Sequence, residues 1–599
     1  MRPQVQADRP VDRDAMLSRI AGLFPYLALV TFCGLGSIVY RWCFLALDEG
    51  LYYYEARRLL HGDVIYRDFF EHITPGVFFF IKWIWQLAGE HIMSVRYTLF
   101  AIYLIEVCLV YWLSHRVLRR ASLALLPALL FVVVARQKTW WATSHHTLSH
   151  LLLLIAAYLL VRYVEERRQW MSPAIGAVTG AAICTTQHLG ILMAIAVLFW
   201  LAVWLPWRHG LPLVKPVLGF AAGMAAPLGA LLAYLASHGA LLAAYQCTWK
   251  WVFSEYSPFS KVEYFQGGTD LMAAAWLAMP GWRPLWDLIY LAFIGYAPPV
   301  ALAIGLMSFV RSAWAHPTEA DVQVRVAVHG IVWTMAAALF ATALAHPVFW
   351  NIAQDSTLTH VFLLAIVPGI TLPVKAFPVM SFPKARWEFT RATLDDGRKG
   401  LSVSLSIWPP RVGRPALRSL AGLTIFLLLT TAYLDLTARY LRAYGSAVAG
   451  RSIRSYIHTP LGRFWSTDPQ FASDVSTVLD AIARYTPSRS PIFVYYWSAH
   501  LYALSGRTSA VKYNGTLPGY HSPEQVAEMV QDLEERQASM VIRDRVVEML
   551  IDNDDARILD YGVNNIAQEP VALAVARNYR PFLELKSYTV YLPSAPPFE

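Results

Sequence analysis

About eleven stretches of this chain are long and apolar enough to cross a bilayer, and nothing else in the sequence limits the fold as strongly. They lie near 22–46, 94–113, 121–136, 149–163, 172–186, 188–205, 213–237, 284–310, 327–345, 360–375 and 417–437, with a shorter run at 76–89 that suits the interface. A spanning helix satisfies its own backbone hydrogen bonds, so each run predicts a helix. Of the 599 residues, 56% are hydrophobic and 15% charged. Soluble domains carry roughly a quarter charged residues. One soluble core cannot hide so much apolar surface, which makes the chain a polytopic membrane protein.

The basic residues follow these runs. Arg2, Arg9, Arg13 and Arg19 precede the first; Arg116, Arg119 and Arg120 follow the second; Arg162, Arg167 and Arg168 follow the fourth. Arg208 and Lys215 follow the sixth, and the 375–418 loop holds Lys384, Arg386, Arg391, Arg398, Lys399, Arg411 and Arg414. Every second loop is basic, as the positive-inside rule requires. The net charge of +9 is therefore topological and implies no nucleic acid. The expected orientation has tail 1–20 in the cytoplasm, spans within 21–437, and the loop 47–75 facing outward. The first run is too long for a signal-peptide core and lacks a cleavage pattern, so it reads as a retained span. Cys33, Cys43, Cys108, Cys184 and Cys247 mostly sit inside apolar runs, without metal or disulfide spacing.

An odd number of spans leaves 438–599 outside as well. There DVSTVLDAIARY reads as an amphipathic helix, PIFVYYW as a buried strand, and HSPEQVAEMVQDLEERQ as a helix with a Ser-Pro-Glu start. ASMVIR and SYTVYL are further strands, and the alternation predicts a small extracytoplasmic α/β domain. Asn514-Gly-Thr fits a glycosylation acceptor and, in preference, a turn.

The chemistry concentrates in LALDEGLYYYEARRLLHGDVIYRDFFEHITPG, residues 45–76. Asp48 and Glu49 end the first apolar run, at the lip of the bilayer. Asp48 suits the N-cap of a helix over 49–61, with Gly62 as its stop. Capping alone would account for one Asp; it leaves unexplained why Glu49, Glu55, Asp63, Asp68 and Glu71 crowd the same loop. A carboxylate beside lipid needs cations or polar groups to stay ionised, and Arg57, Arg58 and Arg67 are the candidates to hold Asp48.

DEGLYYYEARRLLHGDVIYRDFFEHITPG, followed by GEHIMSVRYTLFAIYLIEVCLVYWLSHRVLRR, resembles the N-terminal signature of the GT-C membrane glycosyltransferases. It is most similar to the bacterial branch related to protein O-mannosyltransferases and the aminoarabinose transferase of lipid A. Asp48, Glu49, Tyr52, Gly62, Pro75, Gly76, Gly89 and Arg96 follow that family's order. The resemblance is strong over roughly 45–205 and extends loosely to the many spans and external α/β tail.

That resemblance implies an inner-membrane enzyme that moves a sugar from a polyprenyl-phosphate donor to a hydroxyl of a lipid, glycan or protein. Asp48 would be the general base, with Glu49 beside it. Tyr52, Arg57, Arg67, His72, Arg136, Lys138, His146 and His188 are the candidate substrate-binding residues. Arg136, Lys138, Lys250 and Lys261 lie in expected outward loops and read, in preference, as snorkelling anchors. Relatives often place a second carboxylate before the fourth span, where ARQKTWWATSHHTLSH offers only His145 or His146. Relatives also often have Lys before the Pro pair and in the turn between the fifth and sixth spans. Here those places hold His72-Ile73-Thr74 and, within TTQHLG, Gln187 and His188; protonated histidine could serve as the cation. No cofactor is implied; a divalent metal is permitted but not expected, because His146 and His150 have ligand spacing without a third ligand. The alternative is a transporter or flippase-type subunit of envelope glycan assembly, which would use charge near mid-span, where Glu106 is the main candidate.

Overall fold

The computed structural model describes residues 48–137, 143–277, 282–315, 319–347, most of 351–365, 386–393, 399–406, 455–545 and 569–594 (467 and 518 apart), with a fragment of helix near 25–30. Among the described residues, six helices are long and apolar enough to cross a membrane. They are Ile92–Leu118, His145–Glu166, Gln187–His209, Val214–Ser237, Asp287–Trp314 and Ala320–Ala343. Ala121–Gln137 and Met171–Thr185 are shorter apolar helices beside them. The expected runs at 417–437 and most of 22–46 and 360–375 lie outside the described residues, as does the 437/438 boundary. The described chain thus carries six of the anticipated long spans. The shorter run at 76–89 forms its own helix, Gly76–Ala88.

Close helix contacts in lipid need small residues, since burying a side chain there gives little hydrophobic gain. Helices Met171–Thr185 and Val214–Ser237 meet through Gly176, Gly180, Gly219 and Gly223, two small-xxx-small pairs. A Cβ on Gly176 would stand 2.0 Å from the Phe220 carbonyl oxygen. A second apolar core joins Ile92–Leu118, Ala121–Gln137, His145–Glu166 and Ala320–Ala343 through Val110, Phe131, Leu153, Trp200 and Ile331.

Strands β1 (Arg386–Thr393) and β2 (Lys399–Ser406) form a separate antiparallel pair within the 375–418 loop. The C-terminal residues build a small domain, in which β3 (Ser455–Thr459) and β4 (Gly462–Ser466) form another such pair. A four-stranded sheet follows, in the order β5 (Phe493–Tyr495), β6 (Val541–Asp544), β8 (Tyr588–Pro593), β7 (Tyr579–Glu584). Only β5–β6 is parallel. Helices Pro469–Tyr485 and Pro523–Arg536 are those anticipated from their amphipathic patterns, the second opening on a Ser522/Gln525 capping box. One core runs from Tyr53, Phe69 and Phe78 in the first loop to Val475, Phe493 and Val541 in this domain. The apolar side of the described loop residues 48–75 is therefore packed between the helices and the C-terminal domain.

Candidate active site

Asp48 lies in the first described turn of helix Asp48–Leu60, and Gly62 follows it with φ +106°, a conformation that side chains resist. Gly50 lies against helix His500–Ser505 so closely that a Cβ there would stand 2.3 Å from His500 Cβ. This packing fixes the direction of the helix and separates its two leading acids. Glu49 points inward, where Arg96 bonds its carboxylate at 2.6 and 3.0 Å and the Tyr53 hydroxyl donates at 2.6 Å. Both members of that ion pair are about 2% exposed, so Glu49 is committed to a buried structural contact. Asp48 is exposed, and its Oδ1 accepts from Trp497 Nε1 at 3.2 Å.

The arginines expected around Asp48 pair elsewhere. Arg57 bonds Glu90 at 2.6 Å, Arg58 bonds Asp63 at 2.6 Å, and Arg67 grips Asp68 at 2.7 and 2.8 Å. Each found a nearer acid, and a side chain satisfied locally gains little by reaching farther. Arg67 is also solvent-exposed, on the rim beside His238.

Around Asp48 the structure gathers a largely aromatic wall. The Tyr52 hydroxyl and His145 Nδ1 hydrogen-bond at 2.5 Å, and the Tyr52 ring stacks on Phe78. Burial and then the nearby Asp48 push the Tyr52 phenol up, so it keeps its proton. His146 lies next to His145, their rings 4.1 Å apart. His72 sits among Trp251, Tyr256 and Tyr520, with ring centroids 5.4, 5.0 and 6.3 Å away. π-helical turns at Gln246–Lys250 and Val252–Tyr256 flank Trp251. Lys250 and Lys261, from the same stretch, are exposed. Gln187 donates from Nε2 to the His72 carbonyl at 3.0 Å and accepts from Thr74 N–H, bringing the TTQHLG turn and His188 to the same loop. The side chain of Arg136 and all of Lys138 lie outside the described residues.

Two further acids are buried beneath the wall. Glu71 accepts from the backbone N–H of His72 (2.7 Å) and Ile73 (3.0 Å), and lies 3.0 Å from His72 Nδ1. Glu55 Oε1 accepts from Asn514 Nδ2 at 3.0 Å, while its buried Oε2 meets no N–H or O–H. The two carboxyl groups lie close enough to act on each other's ionisation. Burial and then Glu71 hold Glu55 well above the ordinary carboxyl range. Burial opposes ionisation of Glu71 too, but His72 and the Ile73 N–H outweigh it and hold Glu71 below that range. Between the two, Glu55 therefore holds a proton more readily than Glu71.

Sequence reasoning singled out His72 and Tyr52 but missed Trp497, Asn514 and Tyr520, which arrive from more than 400 residues away. Asn514 is buried, so the turn reading of Asn-Gly suits its place better than an exposed glycan acceptor. Among the described residues no cluster of three or more His, Cys, Asp or Glu is placed to hold a metal. His150 instead faces Glu106 at 3.1 Å, both buried between helices. The acid needed for charge movement through the bilayer is thus enclosed.

Residues 72–232 match the family described as dolichyl-phosphate-mannose-protein mannosyltransferase. No curated protein matches the sequence. The crystal structure of ArnT from Cupriavidus metallidurans bound to undecaprenyl phosphate is similar in fold, with TM-score 0.52 at 12% identity over 95% of this chain and 98% of that one. The apo form of the same protein gives a TM-score of 0.49 at 12% identity, over 96% and 98%. The family match over 72–232 agrees with the GT-C resemblance, and the shared architecture bears out the fold class of a multi-pass helical protein with a small C-terminal sheet domain.

Proposed function

We propose that this chain is a GT-C-type glycosyltransferase that transfers a sugar from a polyprenyl-phosphate donor to an acceptor hydroxyl on the periplasmic face of the bacterial inner membrane. The observation that carries the reading is the division of labour in the first loop. Of the acids at 48, 49, 55 and 71, Glu49, Glu55 and Glu71 are buried and bonded, and Asp48 alone is exposed, at an aromatic wall. The match of 72–232 to a family named for lipid-phosphate-mannose transfer supports the donor class, as does a relative of the same fold that binds undecaprenyl phosphate.

In this reading Asp48 Oδ2 accepts the proton of the acceptor hydroxyl as that oxygen attacks the anomeric carbon. The bond from that carbon to the phosphate oxygen breaks, its electron pair leaves with the polyprenyl phosphate, and the new glycosidic bond forms. The donor is activated by its own phosphate, so no nucleotide is consumed. His72, paired with Glu71, is the candidate cation for the leaving phosphate, in the place where relatives often carry Lys. The rings of Trp251, Tyr256 and Tyr520 offer apolar faces to a sugar or a lipid. The test is mass spectrometry of envelope lipids, glycans and proteins from cells with and without the gene. One class of molecule should lose the mass of a sugar residue when the gene is absent. An unchanged envelope would overturn the reading, and substrate counterflow in vesicles without any transferred sugar would favour transport.

A further inference from the structure

Trp497 is held in place by an unusual local structure. One residue, Tyr496, separates it from the end of strand β5, and Tyr496 is fully buried with φ +82°. A bulky aromatic in the left-handed region is a strained arrangement that persists only where its surroundings impose it. Here they do: Tyr496 N–H donates to Thr516 Oγ1 at 2.8 Å, and Thr516 N–H donates back to the Tyr496 carbonyl at 3.0 Å. The reversal turns the Trp497 indole out of the sheet and over the Asn514-Gly515-Thr516 turn. A Cβ on Gly515 would stand 2.9 Å from the indole, so only glycine lets the ring lie there. Tyr520 closes the ring from another side, edge-on at 5.7 Å. The turn is itself fixed: His521 Nε2–H donates to the Gly515 carbonyl at 2.6 Å, and Asn514 reaches the buried Glu55.

We infer that Trp497 is a positioning residue for Asp48, and that the C-terminal domain is thereby a working part of the active site. The indole N–H donates to Asp48 Oδ1. An exposed carboxylate can rotate about its last bond. One fixed donor on Oδ1 stops that rotation and leaves Oδ2 directed at the incoming hydroxyl. The indole cannot take the proton itself, because its N–H is a donor only. This inference rests on the reading of Asp48 as the general base. It also gives a reason for the strain at Tyr496, since an unstrained exit from β5 would aim the ring elsewhere.

The test uses the full chain, with Trp497→Phe, Gly515→Ala, Asp48→Asn and Asp48→Ala. Cells lacking the gene are complemented with each variant at matched membrane levels, and the sugar-bearing product is quantified by mass spectrometry. Trp497→Phe keeps an aromatic ring but loses the donor, and Gly515→Ala keeps the indole but displaces it. Both are expected to lower product formation at least tenfold, since a reacting group misplaced by about 1 Å costs on the order of a hundredfold. Binding of undecaprenyl phosphate to the purified variants should stay within about twofold of the parent, because positioning acts on turnover. The indole ¹⁵N–¹H resonance that disappears in Trp497→Phe should move upfield in Asp48→Ala. Loss of product together with loss of lipid binding would mean a merely structural role and would overturn the inference. An unmoved indole resonance would do the same. Full product from Trp497→Phe beside an inactive Asp48→Asn overturns the inference alone. Full product from Asp48→Asn overturns the functional reading beneath it.

Discussion

Glu55 and Glu71 are both buried acids of the first loop, yet the same isosteric change should have opposite consequences at the two positions. Burial and the neighbouring Glu71 favour the neutral form of Glu55, so Glu55→Gln replaces one neutral group by another and keeps an oxygen for Asn514. Near neutral pH it should cost under about 1 kcal/mol. Glu71 is the anion, accepting from two backbone N–H groups and facing His72 Nδ1. Glu71→Gln weakens these charge-assisted bonds and leaves an amide against the Glu55 acid, a loss of about 2–4 kcal/mol. The pH dependence separates the two further. Glu55 has its folded pKa raised above the ordinary 4.5, so its contribution is complete below that value and is lost as pH rises toward the folded pKa. Removing the group removes the loss, and Glu55→Gln should gain on the parent as pH rises from 4.5. Glu71 has its folded pKa lowered, so its contribution is present above 4.5 and fades as pH falls through the folded pKa. Glu71→Gln should therefore lose most at neutral pH and least in acid. Thermal melting of the detergent-solubilised variants between pH 4 and 8 reads both curves. Equal losses, or a benign Glu71→Gln beside a damaging Glu55→Gln, would refute the assignment of the proton.

Other contacts give sharper single outcomes. Arg96→Met strands the buried Glu49 carboxylate and should cost about 3–5 kcal/mol, much of it recovered by adding Glu49→Leu, with melting temperature as the readout. Gly50→Ala must push back the His500 backbone and should loosen the C-terminal domain, seen as faster proteolysis beyond residue 455. If His72 meets the donor phosphate, His72→Ala should weaken undecaprenyl phosphate binding about tenfold or more while His72→Lys retains it, measured by native mass spectrometry. Equal affinity in His72→Ala would remove His72 from that role.

The helical bundle was legible because a spanning helix announces itself by length and hydropathy, and the runs from 94 to 345 fall on helices. The helix along 49–60 and its stop at Gly62 were legible too, since a left-handed glycine leaves a local mark. The surroundings of Asp48 were not legible. Arg57, Arg58 and Arg67 stand close in sequence, but Glu90, Asp63 and Asp68 are closer in space and take them. Glu49 looked like a twin of Asp48. One residue along a helix turns a side chain by about 100 degrees, and Arg96 is what lies on that side. Trp497, Asn514 and Tyr520 gave no sign of their place, because a strand-end aromatic and an Asn-Gly turn are ordinary features of any α/β domain. Only the docking of that domain over the loop, through Gly50 against His500, assembles them.

The most direct measurement is the sugar-bearing product made by Asp48→Asn protein in cells lacking the native gene, beside the parent and at equal membrane abundance. Asparagine preserves the shape of the side chain and an oxygen for the Trp497 N–H, so insertion and folding should be intact. Without a carboxylate the acceptor proton has nowhere to go, and product should fall by about a hundredfold or more. Product at the parental level would contradict the account at its centre.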